Sequence, residues 1–475
     1  MLDRRTLLKS SAVLAAASYI PGARAQEVAD VIVIGAGLSG LNAALLLEEQ
    51  GQKVIVLEGR TRAGGRLYTL DDVPGAPEAG GSGIGGGYAR LIDRANTLGV
   101  KLVPQRVRTE AAGETTCIHI KGQTIKAADW EAHPLNPYAG EGRKRLPWLQ
   151  SFSALSPFNP LPDVADWRSP EQAKNDVSVA DFLTGKGWTP EQLRMAFATN
   201  PSYGTSAFDV SALMWWHIGK NMVAMAGQGG GGAMAIAGGN QRLPDAMAKA
   251  IKSGVRYGKA VVGIRADATG VEAVTADGSR YRAKRLICSL PASALRLVKL
   301  DPAPPLAQAR GIATLPYNKV VQAHFVPTRK FWEDDGLPAS MWTDTLAGRF
   351  MALRYGADAN EVTTCLAFVN GFAADALDRM SPDGSTAAIL ADLALARPAT
   401  KGALRHVKTV SWQRDRFSGG AYACWAPGQI AAFANEIGKD MGRVHFCGEH
   451  TAATARGMEG AMESGERSAL DILQA

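Results

Sequence analysis

One segment near the N-terminus constrains this chain more than any other. Ala29 to Ile34 is a largely apolar, β-branched run, and Gly35-Ala36-Gly37-Leu38-Ser39-Gly40 follows it at once. Leu41 to Gln50 is rich in Leu, Ala and Glu. Gly51 stops it, and Lys53 to Leu57 is a second apolar run closed by Glu58. The pattern predicts a strand, a glycine turn, a helix and a second strand. Each glycine has a physical task. Gly35 permits the tight turn, Gly37 lets the backbone approach a pyrophosphate, and Gly40 lets helix and strand pack closely. The helix start offers free N–H groups and partial positive charge to phosphates. Glu58 is placed to accept hydrogen bonds from an adenosine ribose, and its charge argues against a 2′-phosphorylated cofactor. A doubly wound α/β unit that holds a dinucleotide follows.

Composition narrows the rest. A chain of 475 residues is too long for one core and suits about two domains. With 46% hydrophobic and 20% charged residues it reads as a soluble globular protein. The net charge of +7 is spread out, with only Arg143-Lys144-Arg145 as a short basic run, so no nucleic-acid partner is expected. Cys117, Cys288, Cys365, Cys424 and Cys447 are scattered and lack CxxC spacing. Neither a disulfide framework nor a metal site is predicted, although one structural bridge stays open. His217, His406 and His450 receive no base role, and no Ser-His-Asp constellation is visible.

Met1 to Ala25 reads as an address. Arg4-Arg5-Thr6-Leu7-Leu8-Lys9 resembles the twin-arginine export signal, Ser11 to Ile20 is a short apolar stretch, and Ala23-Arg24-Ala25 is a small-x-small cleavage site. The stretch is too short to span a membrane. The expectation is a periplasmic protein, exported already folded by the twin-arginine machinery, with a mature chain starting near Gln26.

Arg60-Thr61-Arg62-Ala63-Gly64-Gly65-Arg66 follows directly on Glu58. Paired glycines flanked by arginines suit an anion that the backbone must touch. This segment resembles R-x-R-x-G-G-R of the flavin amine oxidase family, the monoamine, polyamine and L-amino acid oxidases. Further motifs resemble that family in the same order. They are Glu78-Ala79-Gly80-Gly81, Gly238-Gly239 through Leu243-Pro244, Val261-Val262-Gly263-Ile264, and Arg285 to Pro291. Phe331-Trp332, Ser418-Gly419-Gly420-Ala421-Tyr422, Phe446-Cys447-Gly448-Glu449-His450-Thr451 and Gly457-Met458-Glu459-Gly460-Ala461 complete the series.

The resemblance implies an α/β fold: a discontinuous Rossmann-type FAD-binding domain over 28–104, 234–309 and 414–475, and a mixed α+β substrate domain over 105–233 and 310–413. Val210 to Lys220 is expected as an apolar helix, and Asn318 to Phe325 and Thr363 to Asn370 as strands. The FAD site implied is Gly35, Gly37, Leu38, Ser39, Gly40, Glu58, Gly59, Arg60, Gly64, Gly65, Arg66, Gly80, Gly81, Ser82, Val261, Gly448, Glu449, Gly457 and Met458. Lys319 takes the role of the family lysine that holds a water near the flavin, Trp412 lies near the ring, and Tyr422 orients the amine. The reaction implied is oxidation of an amine to an imine, which water hydrolyses, with O2 reduced to H2O2.

The departures matter as much. Ala421 stands where monoamine oxidases carry the cysteine that bonds to flavin, so FAD is expected to dissociate. Gly457 and Gly83 are bare where relatives place larger side chains. The glycine runs Gly80 to Gly87 and Gln228 to Gly232 add to a pocket suited to a bulky amine, unless Trp215, Trp216 or Phe372 fill it. Three alternatives stay open: an L-amino acid oxidase using an arginine such as Arg90, a dehydrogenase passing electrons to a periplasmic cytochrome, and a flavin-bound binding protein. No membrane span is expected, and a homodimer stays open.

Overall fold

The computed structural model describes residues 26–105, 116–227, 233–355, 358 and 360–474. The export segment Met1 to Ala25 and the bare stretch Gln228 to Gly232 lie outside the described residues.

The N-terminal unit forms as the sequence predicts. Strand β1 (Gln26–Ile34) turns through the glycines into helix α1 (Leu38–Glu49) and returns as β2 (Val54–Leu57). β1 and β2 pair in parallel, from Val31 opposite Val54 to Ile34 opposite Leu57. On its other side β1 pairs in parallel with Arg280–Cys288, which in turn pairs with Val444–Phe446. A parallel strand in the middle of a sheet is covered on both faces, and β1 shows it. Val31 and Val33 pack into one core with α1, while Ile32 and Ile34 pack into another. Val271–Thr275 and Arg280–Cys288 form an antiparallel hairpin whose turn holds Gly278 at φ +82°. Asp277-Gly278 supplies the positive φ that such a tight turn needs.

The C-terminal helix Gly457–Leu473 lies on α1. The two approach closely because Gly465 has no side chain. A Cβ there would collide with the Ser39 carbonyl. Asn42 Nδ2 donates to the Met462 carbonyl across the same contact at 3.0 Å.

A second sheet of seven strands contains Val320–Pro327 and Thr364–Asn370 as antiparallel neighbours, with Arg349–Leu353 at its centre. Alternation divides Val320–Pro327 into two faces. Val321, Ala323 and Phe325 enter a core with Phe331, Phe350 and Leu393. Truncating Phe325 there costs about 3–5 kcal/mol. On the other face Val320 and Gln322 line the site described below, and His324 follows them, buried. One connection was not foreseen: Cys117–Ile120 pairs in parallel with Met341–Thr343 and joins the early chain to this sheet.

Ala212–Gly227 is the predicted apolar helix, and its Trp215 and Trp216 are buried in the core. All five cysteines are free and buried. Among the described residues no helix is long and apolar enough to cross a membrane.

Candidate active site

Two glycine motifs are clasped together by one carboxylate. Glu78 accepts from Thr69 Oγ1 (3.0 Å) and from the Asn240 backbone N–H (2.7 Å). Asn240 Nδ2 then donates to the carbonyls of Gly81 and Ser82. The Glu78-to-Gly81 turn and the returning Gly238-Gly239 segment are thereby locked side by side. Burial pushes the Glu78 carboxyl up to about 7.

Above this clasp lies a cavity of about 680 Å³ that runs between the two sheets. Every residue assigned to the cofactor lines it except Gly40. Gly40 sits behind the wall, where a Cβ would collide with the Gly35 carbonyl. Its task is packing, as read from the sequence. Gly35 has φ +100°, a conformation open to glycine, and a Cβ on Gly37 would meet nothing within 4 Å. Open space at Gly37 is what a backbone approach to a pyrophosphate requires.

The Glu58 carboxylate is buried and fixed. One oxygen accepts from the Ala36 N–H and the other from the Arg60 N–H, both at 2.8 Å. Lone pairs remain for a ribose. Arg60 pairs with Asp415 (2.8 Å) and donates to Ser418 Oγ. Arg66 pairs with Glu449 (2.9 Å) and donates to the Ala421 carbonyl (3.0 Å). Burial would raise the Glu449 carboxyl, but the Arg66 charge and the Ala423 N–H outweigh it and hold it below the ordinary value. Arg62 does not line the cavity; it donates to the carbonyls of Ala63, Gly65 and Leu67 and braces the loop.

At the other end the walls are Val320, Gln322, Met351, Leu353, Leu366, Phe368, Trp412 and Tyr422. Trp412 Nε1 (2.7 Å) and Gln322 Nε2 (3.1 Å) both donate to the Ala79 carbonyl and hold the glycine turn in place. The Tyr422 hydroxyl donates to the Ser202 carbonyl (2.6 Å) and accepts from Asn318 Nδ2 (3.0 Å). Burial pushes this phenol well above its usual value, so Tyr422 offers the cavity its ring and not an acid. Tyr203 packs edge-on against it at 5.2 Å.

Lys319 requires a correction. It does not line the cavity; its Nζ pairs with Asp375 at 2.7 Å. The cause is strand period. Val320 and Gln322 face the cavity, so position 319 points the other way. The sequence reading missed Gln322, Leu366, Phe368, Met351 and Leu353, although alternation from Val320 could have identified Gln322.

Other departures read from the sequence keep their form. Ala421 lines the cavity. Cys424 is buried away from it, with its thiol pushed up to about 12 by burial. A side chain on Gly457 would meet only the Tyr88 hydroxyl, 3.9 Å off. Trp215 and Trp216 belong to the core, and Phe372 is 64% exposed, so none of them fills the cavity. Arg90 also lies outside it, paired with Glu459 and Glu466. His450 is buried behind Glu449, and burial lowers its imidazole to about 4.

The sequence pattern of the flavin containing amine oxidoreductase family matches residues 38–473. A flavin-containing amine oxidase of Danio rerio is 28% identical, over 94% of this chain and 85% of the relative. Amine oxidase B of Homo sapiens is 25% identical, over 94% and 86%. Among solved structures, cyclohexylamine oxidase from Brevibacterium oxydans superimposes with a TM-score of 0.75 at 24% identity, covering 94% of this chain and 99% of that one. Putrescine oxidase bound to putrescine gives 0.72 at 23% identity, covering 94% and 100%. At these identities the two structures speak for the fold.

Proposed function

Because the chain belongs to the flavin containing amine oxidoreductase family and is thus an FAD-dependent amine oxidase, we propose that it oxidises an apolar, bulky monoamine to the imine with dissociable FAD. The observation that carries this reading is the apolar wall of Met351, Leu353, Leu366 and Phe368, which lines the same cavity as Tyr422.

The cavity fits FAD by its own geometry. Gly37 leaves room at the turn, Glu58 is held ready for a ribose, and the N-terminus of the Gly457–Leu473 helix opens at Met458. That helix end would favour negative charge on a nearby ring. Bound FAD supplies the two-electron acceptor. The residues supply environment. Apolar walls disfavour the ammonium form of the substrate and lower its pKa, which frees the nitrogen lone pair. Tyr422 gives the amine a flat surface, and Trp412 and Gln322 fix the turn beneath. The division into an FAD domain and a substrate domain at the boundaries above belongs to this proposal, as does export to the periplasm.

An amino acid substrate is disfavoured. Arg90 is engaged elsewhere, and Arg66 is already neutralised by Glu449. A second reading concerns the acceptor. With Lys319 outside the cavity, the lysine expected to hold a water near the flavin is missing from the site, which favours an acceptor other than O2. The test uses holoprotein with apolar monoamines, diamines and L-amino acids, first without air and then with air or ferricyanide. Flavin reduction by apolar monoamines supports the proposal, and equal reduction by diamines or amino acids contradicts it. Peroxide in air identifies O2 as acceptor; ferricyanide turnover without peroxide supports the second reading.

A further inference from the structure

Strand Val320–Pro327 carries a second buried polar side chain near the cavity. Gln322 and His324 are two residues apart and share the face that carries cavity-lining Val320. In the paired strands His324 stands between Leu366, which lines the cavity, and Lys408. The segment from Asp72 to Ala79 closes over this face and is anchored at three points. Lys408 Nζ donates to Asp72 (2.6 Å), Thr364 Oγ1 to the Pro74 carbonyl (2.5 Å), and Gln322 Nε2 to the Ala79 carbonyl (3.1 Å).

His324 is fully buried, yet neither of its ring nitrogens has a hydrogen-bond partner among the described residues. Gln322 Oε1 has none either. The orphaned atom cannot be exchanged by flipping the amide, because Nε2 must donate to Ala79. Native interiors rarely leave three neighbouring polar atoms unpaired, and buried water is their usual partner. Two strand residues span about 6.6 Å, a gap that one or two waters bridge. At the outer end Lys408 and Asp72 are 29% and 64% exposed.

We infer that Gln322, His324 and the waters they hold form a proton path from the cavity to the Lys408–Asp72 pair at the surface. The inference rests on the amine oxidase reading, in which substrate arrives as an ammonium and must lose a proton inside an apolar cavity. One N–H bond of the ammonium breaks, a proton passes to water beside Gln322, and one ring nitrogen of His324 takes it. The other ring nitrogen releases its own proton outward, so one proton reaches solvent and no electron moves. Imidazole suits this task because it can accept and release at once. Burial holds the ring neutral, with its pKa lowered to about 4. The titratable groups around it are His406 and Lys408 on the neighbouring strand, Asp72 and Glu78 on the covering segment, and Tyr355 beside Glu78. Strand Thr364–Asn370 contributes none on this face.

The test has two arms on the holoprotein. In His324→Leu, with flavin content and melting temperature checked, anaerobic flavin reduction at saturating amine should slow by about tenfold. KM should stay near that of the parent, and the lost rate should return as small buffer is added. Lys408→Met should show a milder version. The second arm needs no turnover: 15N-histidine NMR of the parent protein should show His324 ring protons exchanging rapidly with water. Unchanged rates with no buffer dependence, or a slowly exchanging His324 N–H, would overturn the path. If His324→Leu fails to fold, the NMR arm and Lys408→Met decide. A parent protein that no amine reduces would sink the oxidase reading and leave the exchange measurement to judge the path.

Discussion

Glu78 sits where two motifs and the cavity wall meet, and its titration is measurable. Its folded pKa of about 7 lies above the ordinary 4.5. A carboxyl raised in this way adds stability below its unfolded value and loses it as pH rises through the folded value. Its contribution therefore falls by on the order of 3 kcal/mol between pH 4.5 and 7. Glu78→Gln keeps an acceptor for Asn240 and should flatten that slope, as read by urea unfolding at pH 5 and pH 8. Equal slopes in variant and parent would contradict the assignment. Lys319 gives a second test at this scale. It pairs with Asp375 outside the cavity, so Lys319→Met should leave kcat within about twofold and stability within about 1 kcal/mol. A large loss of kcat would mean that the lysine reaches the site after all.

At the scale of the element, the glycine turn between β1 and α1 separates two functions that its motif combines. Gly37 has φ −79°, and a side chain there meets no neighbour. Gly37→Ala should therefore fold with normal stability yet hold FAD more weakly, because the methyl enters the cavity. Gly40→Ala collides with the Gly35 carbonyl, and overpacking of this kind costs about 1–3 kcal/mol or more. It should lose stability and flavin together, as read by denaturant midpoints and FAD titration. This turn was legible in the sequence because its signals are local: an apolar run, glycines at fixed spacing and a terminal acid. The Val320–Pro327 strand was legible too, but the face of each side chain was not. Reading Lys319 as the functional residue placed the wrong parity toward the cavity. The Tyr203–Tyr422 contact and the parallel pairing of Cys117–Ile120 with Met341–Thr343 join segments far apart in the chain. No local pattern announces such contacts.

On the scale of the whole molecule, the two sheets meet at the cavity, and each contributes one end of it. The cofactor end comes from loops at the carboxyl ends of parallel strands, the ordinary ligand position of an open α/β sheet. The end proposed for the amine comes from one face of the mixed, mostly antiparallel second sheet, whose other face is core. Fold and cofactor were readable because many motifs recur in order along the chain. The amine was not, because Met351, Leu353, Leu366 and Phe368 converge from two strands that carry no motif. Since Ala421 offers no thiol and Cys424 is buried away from the cavity, FAD should pass into the supernatant when the holoprotein is precipitated with acid. Flavin retained in the pellet would show a covalent link from another residue. The most direct measurement of the central claim is the visible spectrum of the purified protein during an anaerobic titration with an apolar monoamine. A yellow flavin band that bleaches as amine is added is the predicted result. A colourless protein that gains no such band on incubation with FAD would contradict the account.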